Sequence, residues 1–388
     1  MSTDRIRRLL VSSAFAFALL AFLLGVSAQK SLAQGESFSK GHSGAVYTLS
    51  NQPTGNSVIV FDRAADGTLT LAGSFPTGGT GLVGGPFPKI DPLESQGAVM
   101  LSRSRRLLFA VNAGSNSVSA FAVDGDHLYL LNTISSGGTL PVSIDVHRNL
   151  VYVLNAGGTP NITGFTIDPR TNKLVPLAGS ARPLAGGSAA APAEVSFSLD
   201  GSILMVTEKG TQTIDTYTVN RDGTASGPVS NRSSGPTPFG FEFTHRRIAV
   251  VSEANAAATN AASSYMAEED GQLRLITGSL SDGQKAACWA VVTSDGRYAY
   301  VVNAGNSTVS SYEVSPEGYL TLLDPTAAVT SSGGAPTDSA FSSDSKFLYV
   351  RDAGLNVIDG FRVEADGSLT PVGTTDGAPT GGQGLAAR

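Results

Sequence analysis

The sequence predicts an all-β protein made of repeated units, and three observations support this prediction. Short runs of aromatic and β-branched residues recur along the chain, separated by Asp-Gly and Asn-Ala-Gly turn signals. The composition is rich in turn formers and weakly charged, with 45 glycines in 388 residues and 15% charged residues. One pattern of three strands separated by turns, seen in full at 294–323, occurs seven times.

The first strand of each repeat ends at a comparable position, and these positions set the spacing. They are Asn51, Asn112, Asn155, Glu208, Glu253, Asn303 and Asp352. Successive positions are 43 to 61 residues apart, which suits four-stranded β-propeller blades and is too long for leucine-rich repeats. The sequence therefore predicts a seven-bladed β-propeller with four antiparallel strands, A to D, in each blade.

The first repeat has no A strand in front of it, whereas a spare strand pattern at 381–387 remains at the end of the chain. We expect this C-terminal strand to complete the first blade, because closing the ring removes open sheet edges. The other A strands are predicted at 97–102, 142–146, 194–198, 239–244, 289–293 and 338–342. The Asp-Gly pairs at 66–67, 222–223, 270–271 and 366–367 predict hairpins between strands C and D.

The N-terminal residues have the features of a targeting signal. Three arginines within residues 5–8 precede an apolar run at 9–26, and small residues follow at two plausible cleavage sites. We assign 1–33 to a signal peptide, 34–43 to a linker and 44–388 to the propeller. We expect a secreted or periplasmic protein without membrane contact after cleavage, although the apolar run is also long enough for an uncleaved anchor.

Charge and cysteine content exclude several classes of protein. The formal net charge is −6 and no basic stripe occurs, so no nucleic-acid partner is expected. Cys288 is the only cysteine, so the chain has no internal disulfide and depends on its core for stability. We interpret Cys288 as a small buried residue, and we expect a monomer.

In an antiparallel blade, the end of strand B and the start of strand A lie on the same face of the disc. The B–C and D–A connections therefore surround one mouth of the central channel, where we expect a small-molecule ligand. The predicted ligand-binding residues are Asn112, Asn155, Glu194, Trp289, Asn303, Asp338 and Asp352, and the predicted catalytic residues are Glu208, Lys209 and Glu253. No cofactor is expected, although these oxygen ligands could alternatively hold Ca²⁺. The four histidines fall away from this mouth, which argues against triads and histidine–metal sites.

Each group of candidates also has a structural interpretation. Asn suits the turns because it tolerates a left-handed backbone. Glu is a poor turn former, so Glu208 and Glu253 either have a function, cap backbone N–H groups or pair with Lys209. Glu194 and Asp338 are either channel groups or solvated rim acids. Trp289 is either a stacking floor for a ligand or a core residue.

The Tyr-Val-x-Asn-Ala-Gly pattern at 300–305, with near matches at 152–157 and 109–114, resembles the β-propeller lactonase family. That family includes 6-phosphogluconolactonase and proteins named carboxymuconate cyclase, and the pattern also recurs in YVTN-type surface propellers. The segments 207–209, 214–217, 237–241, 252–254 and 288–289 are similar to an exported branch of this family. The resemblance covers 44–388 and implies a propeller with lactone hydrolase activity.

Two functions from different classes follow. The first is hydrolysis of a lactone, with Glu208 or Glu253 as general base on water, Lys209 stabilising the oxyanion and asparagines holding ring hydroxyls. The second is a non-enzymatic exported propeller whose mouth binds a ligand or partner. Clustered rim acids with perturbed pKa values favour the first function, and a shallow mouth favours the second.

Overall fold

The computed structural model describes residues 43–244, 247–254 and 261–388, and its strands form seven antiparallel sheets. These sheets confirm the predicted seven-bladed propeller. The predicted signal peptide, His42, His245 and all of the linker except Ser43 lie outside the described residues.

Strands of the first four blades follow the chain in order. Blade 1 contains β1 (Gly44–Leu49), β2 (Ser57–Arg63) and β3 (Leu69–Pro76). Blade 2 contains β4 (Val99–Leu101), β5 (Leu107–Asn112), β6 (Ser117–Asp124) and β7 (His127–Ser135). Blade 3 contains β8 (Thr139–His147), β9 (Leu150–Gly157), β10 (Asn161–Ile167) and an outer strand in two pieces, β11 (Leu174–Pro176) and β12 (Arg182–Pro183). Blade 4 contains β13 (Pro192–Phe197), β14 (Ile203–Glu208), β15 (Thr213–Val219) and β16 (Ala225–Arg232).

The remaining blades repeat this order. Blade 5 contains β17 (Pro238–Phe243), β18 (Ile248–Glu253), β19 (Ala261–Ala267) and β20 (Leu273–Ser281). Blade 6 contains β21 (Ala287–Val292), β22 (Tyr298–Asn303), β23 (Thr308–Val314) and β24 (Leu320–Val329). Blade 7 contains β25 (Pro336–Phe341), β26 (Phe347–Asp352), β27 (Val357–Val363) and β28 (Leu369–Asp376). One 3₁₀ turn occurs at Gly187–Ala189, and no helix in the described residues is long and apolar enough to cross a membrane.

The last strand, β29 (Gln383–Ala387), closes the ring as predicted. It pairs antiparallel with β1, with Ala386 opposite Tyr47 and Gln383 opposite Leu49. The Arg63 guanidinium strengthens this junction, because its Nε donates to the Arg388 carbonyl at 3.2 Å and its Nη2 donates to the Ser43 carbonyl at 2.7 Å.

The tyrosine of the repeated motif joins neighbouring blades. Its hydroxyl crosses from strand B to the C–D hairpin of the next blade, as in Tyr300 to the Gly367 carbonyl at 2.8 Å and Tyr349 to the Gly67 carbonyl at 2.7 Å. Both glycines have a left-handed φ, 83° and 90°, which a side chain would strain. The motif and the Asp-Gly hairpin are therefore two halves of one contact between blades.

Candidate functional site

A long connection between blades 1 and 2 lies across the mouth at which the sequence places the site. We call residues 82–97 the plug segment. The Lys209 ammonium donates to the Glu94 carbonyl at 2.5 Å, and the Trp289 indole N–H donates to the Ser95 carbonyl at 3.1 Å. The backbone N–H of Gly381 donates to the Lys89 carbonyl at 3.1 Å. Because these partners belong to blade 4, blade 6 and the junction of blades 7 and 1, the plug segment spans the channel.

The side chains at the ends of the B strands are buried inside their own blades. Six of the seven reach toward the connection that enters the blade, and Asn303 instead donates to Ser310 Oγ of strand C at 2.8 Å. The six contacts are Asn51 with Gly381, Asn112 with Thr77, Asn155 with Ser136, Glu208 with Gly186, Glu253 with Gly235 and Asp352 with Ala335. For the glutamates this is the backbone-capping alternative considered from the sequence. Asn112, Asn155 and Asn303 lie in strands without the left-handed backbone expected of turn residues, and a ligand-binding role for these positions stays a prediction.

The two glutamates at these positions have their carboxylate oxygens occupied. Glu208 accepts from the Gly186 N–H at 3.1 Å and from Thr211 Oγ1 at 2.5 Å. Glu253 accepts from the Gly235 N–H at 2.9 Å and from two serine hydroxyls at 2.5 and 2.6 Å. Both residues are at most 1% exposed. Their geometry is that of carboxylates that cap backbone N–H groups, and their catalytic role stays a prediction.

Lys209 and Trp289 pack beneath the plug segment. The Lys209 ammonium lies 4.8 Å from the centre of the Phe239 ring and 4.0 Å from the Glu94 carboxylate, so it pairs with the plug segment and not with Glu208. Burial lowers the pKa of Lys209. The Trp289 ring packs edge-on against Phe239 at 5.3 Å. Burial raises the pKa of the neighbouring Cys288 thiol, which makes it a poor nucleophile.

A cavity of about 510 Å³ opens on the other face of the disc, beside the A–B turns. Residues of these turns surround its entrance, including Arg103, Arg105, His147 and Arg148. Burial and the arginines at 148 and 103 lower the pKa of His147. Among the predicted site residues, the cavity is lined by Glu194 and Asp338. Both are more than 95% buried, so they are not solvated rim acids.

The inner strands need acceptors because their N–H groups face the channel and not another strand. Acidic side chains from the preceding blade supply them. Asp145 accepts from the Phe197 N–H at 2.7 Å, Glu194 from the Phe241 N–H at 2.7 Å and Glu242 from the Val292 N–H at 2.6 Å. Burial raises the pKa of all three carboxyls, to about 7 for Glu242 and well above the ordinary value for Glu194.

Asp338 has a different geometry. It is the extra residue of a β-bulge between Thr337 and Ser339, and its φ is 52°. A bulge turns a side chain away from the regular pleat, here into the channel. Its Oδ1 accepts from the Ser339 N–H at 2.9 Å, whereas its Oδ2 has no hydrogen-bond partner among the described residues. Burial raises the pKa of Asp338 to about 8, against the opposing charge of Arg351.

Sequence reasoning missed the plug segment, the A–B entrance and the inner-strand acids Asp145 and Glu242. The spacing of 61 residues between Asn51 and Asn112 was the available signal for the insertion. His147 was discounted as lying away from the mouth, and it lines the cavity because the cavity opens on the opposite face. In residues 43–244, 247–254 and 261–388, no three His, Cys, Asp or Glu side chains converge as a metal site.

Fold and cavity define the class of protein: a seven-bladed β-propeller with a cavity in its central channel. Within this class the chain belongs to the lactonase family, since the family model described as "Lactonase, 7-bladed beta-propeller" matches residues 43–184 and 289–383, more than half of the chain. No protein of curated function matches the sequence significantly.

Solved structures share this fold at low sequence identity. A protein from Lactobacillus plantarum is 18% identical over 89% of this chain and 99% of its own, with a TM-score of 0.69. A putative 6-phosphogluconolactonase from Bacteroides fragilis is 19% identical over 91% and 100%, with a TM-score of 0.64. The periplasmic gluconolactonase of Pseudomonas aeruginosa is 16% identical over 87% and 98%, with a TM-score of 0.64. At these identities the likeness establishes the fold alone.

Proposed function

We propose that the chain hydrolyses a lactone or a sugar-derived ester in its central cavity. The observation that carries this proposal is the buried Asp338 carboxyl, held in a left-handed bulge on the cavity wall with one oxygen unpaired. Backbone strain and perturbed carboxyl groups both concentrate at functional sites. A cavity of about 510 Å³ has the volume of a small-molecule site, and membership of the lactonase family favours lactones as substrates.

In the proposed reaction, the Asp338 carboxylate accepts a proton from water while the water oxygen attacks the lactone carbonyl carbon. Glu194, whose pKa burial raises well above its ordinary value and so favours the protonated form, donates a hydrogen bond to the carbonyl oxygen as negative charge develops there. The ring C–O bond then breaks, and the proton on Asp338 passes to the leaving alkoxide oxygen. The product is a hydroxy acid, and Asp338 is again a carboxylate.

The competing assignment uses Glu208 or Glu253 as base and Lys209 at the oxyanion. We favour Asp338, because the glutamate oxygens are occupied by loop donors and Lys209 pairs with the plug segment. No cofactor takes part in the proposed reaction. A Ca²⁺ requirement is the alternative that a chelator tests.

A panel of neutral and anionic lactones, assayed by proton release with and without chelator, tests both assignments. We expect the wild type to hydrolyse at least one lactone with chelator present. Glu208→Gln and Glu253→Gln are expected to retain this turnover and to melt several degrees lower, because the amide nitrogen of Gln cannot accept a hydrogen bond and leaves a loop donor unpaired, at a cost of about 1–3 kcal/mol.

Two other results would change the proposal. If the glutamine variants lose turnover while their melting temperatures hold, the base lies at the plugged mouth. If the wild type hydrolyses no lactone in the panel, the lactonase proposal fails, and a non-enzymatic binding propeller becomes the better interpretation.

We also propose that the chain is exported, on the basis of the arginines and apolar run in its first 26 residues, and that it acts as a monomer. The exported form is expected to begin near Gln29 or Gln34, after the small residues that precede each position. N-terminal sequencing of secreted or periplasmic material measures this directly. Membrane-bound material that begins at Met1 would indicate an uncleaved anchor.

A further inference from the structure

We infer that Gln96 is a positioning residue for the Glu194 carboxyl group, and that the plug segment delivers it to the cavity floor. The inference rests on the lactone hydrolysis proposed above and deepens it. Gln96 is 7% exposed and lines the cavity beside Glu194. Gln96 therefore enters the channel from the face that the plug segment covers, and its side chain reaches Glu194 from that face.

The side-chain amide of Gln96 can take only one orientation. Its Oε1 accepts from the Ala290 N–H at 3.1 Å, and a backbone N–H can only donate. The amide nitrogen Nε2 must then face the opposite group of acceptors. It donates to the Ala290 carbonyl at 3.0 Å, to Glu194 Oε1 at 3.3 Å and to the Phe241 carbonyl at 3.4 Å.

Blade 5 leaves room for this amide. A Cβ atom at Gly240 would lie 2.1 Å from Gln96 Oε1, well inside van der Waals contact. It would also lie 2.8 Å from the Cys288 carbonyl oxygen, so glycine at position 240 gives room to a side chain of the plug segment where the neighbouring backbone cannot move away. The inner strands of blades 4, 5 and 6 together form a pocket shaped for one glutamine side chain.

The consequence is a fixed direction for the acid hydrogen of Glu194. Glu194 Oε2 accepts the short 2.7 Å bond from the Phe241 N–H, which suits the carbonyl-type oxygen of a protonated carboxyl. The hydrogen then belongs on Oε1, where the Gln96 N–H repels it. The hydrogen turns away from Gln96 and into the cavity, where a substrate carbonyl oxygen can accept it.

A variant of the neighbouring residue can distinguish this positioning role from simple anchoring of the plug segment. Ser95 is buried next to Gln96, and its Oγ donates to the Val142 carbonyl at 2.9 Å. Ser95→Ala therefore loosens the same segment without touching Glu194. It is the matched control for Gln96→Met, which keeps the length of the side chain and removes its N–H donor.

Steady-state kinetics across pH test the inference on any lactone that the wild type hydrolyses. For Gln96→Met we expect kcat to fall by roughly 10- to 100-fold, because a misdirected donor loses its alignment, while KM changes little. The rate decline at high pH, where Glu194 ionises, should move to higher pH, because the lost N–H stabilised the carboxylate. Ser95→Ala should lower the melting temperature and leave that decline in place. Parallel loss of stability and rate in both variants, with no movement of the decline, would overturn the inference.

A second measurement does not depend on activity. In protein labelled with ¹³C at glutamate carboxyls, the Glu194 signal is identified by its absence from Glu194→Gln. Its titration should move to higher pH in Gln96→Met and stay in place in Ser95→Ala. An unmoved titration in folded Gln96→Met refutes the positioning role even if lactones are hydrolysed. If the Glu194 titration moves but no lactone is hydrolysed, the contact between Gln96 and Glu194 is supported and only the proposed function fails.

Discussion

Deletion of residues 378–388 is expected to lower the melting temperature by roughly 10 °C or more, because it opens the ring. The deletion removes β29 and with it the inner strand of blade 1. It exposes the edge of β1, uncovers the buried side chains of Leu385 and Ala386, and leaves the Arg63 guanidinium without the Arg388 carbonyl. A buried leucine side chain contributes about 1.5–3 kcal/mol, and each ladder hydrogen bond about 1 kcal/mol.

Calorimetry measures the effect, and a synthetic peptide of residues 378–388 supplies the control. Added in excess, the peptide should restore part of the lost stability, since it can pair with β1 in the same register. Val329→Ser, an exposed change on the outer strand of blade 6, should melt like the wild type. An unchanged melting curve after the deletion would show that blade 1 does not need its C-terminal strand.

Asp338→Asn is expected to reduce turnover of a responsive lactone by a factor on the order of 10²–10⁴, the usual contribution of a general base. Asn is close to Asp in shape and tolerates the left-handed backbone at this position. The wild-type rate should rise with pH as the carboxyl ionises near its pKa of about 8. The variant should lose this rise, which rate measurements from pH 6 to 9 can show.

Stability provides the control for Asp338→Asn. The folded-state pKa of Asp338 lies above its unfolded value, so the folded state holds the proton more tightly. Its stabilising contribution is present below about pH 4 and is lost as pH rises toward about 8. The neutral Asn avoids this loss, so the variant should melt at or above the wild-type temperature at pH 8. Full turnover in a folded variant would exclude Asp338 as the base.

Local patterns allowed the fold to be predicted from sequence. The Asp-Gly hairpins, the motif tyrosines and the B strands recur from blade to blade. Their regular spacing therefore indicates the number of blades and the strand order within each one. The spare pattern at the C-terminus located the ring closure, because a strand without a partner must find one. The split outer strand of blade 3, β11 and β12, was not predicted, since it depends on Ser180, whose hydroxyl bonds the Gly164 backbone in place of a strand.

The site was only partly predictable, because its contacts join distant parts of the chain. Glu194 and Asp338 were identified from their place at the start of the A strands, and both line the cavity. Gln96 was not, since it reaches Ala290 across 194 residues and no local pattern marks that contact. The side of the disc was also missed, because nothing in the repeats indicates that an insertion between two of them covers one mouth.

The pairing of β29 with β1 also sets the order in which the molecule can be completed. Its partners, such as Tyr47 and Ala386, are more than 330 residues apart, so this is among the most non-local contacts that the chain can form. Strand β29 is synthesised after the other described strands, and until then β1 has a free edge. Long-range pairing of this kind slows folding and exposes unpaired edges to other chains. During synthesis, blade 1 therefore has an unpaired edge that can pair with other chains until β29 covers it.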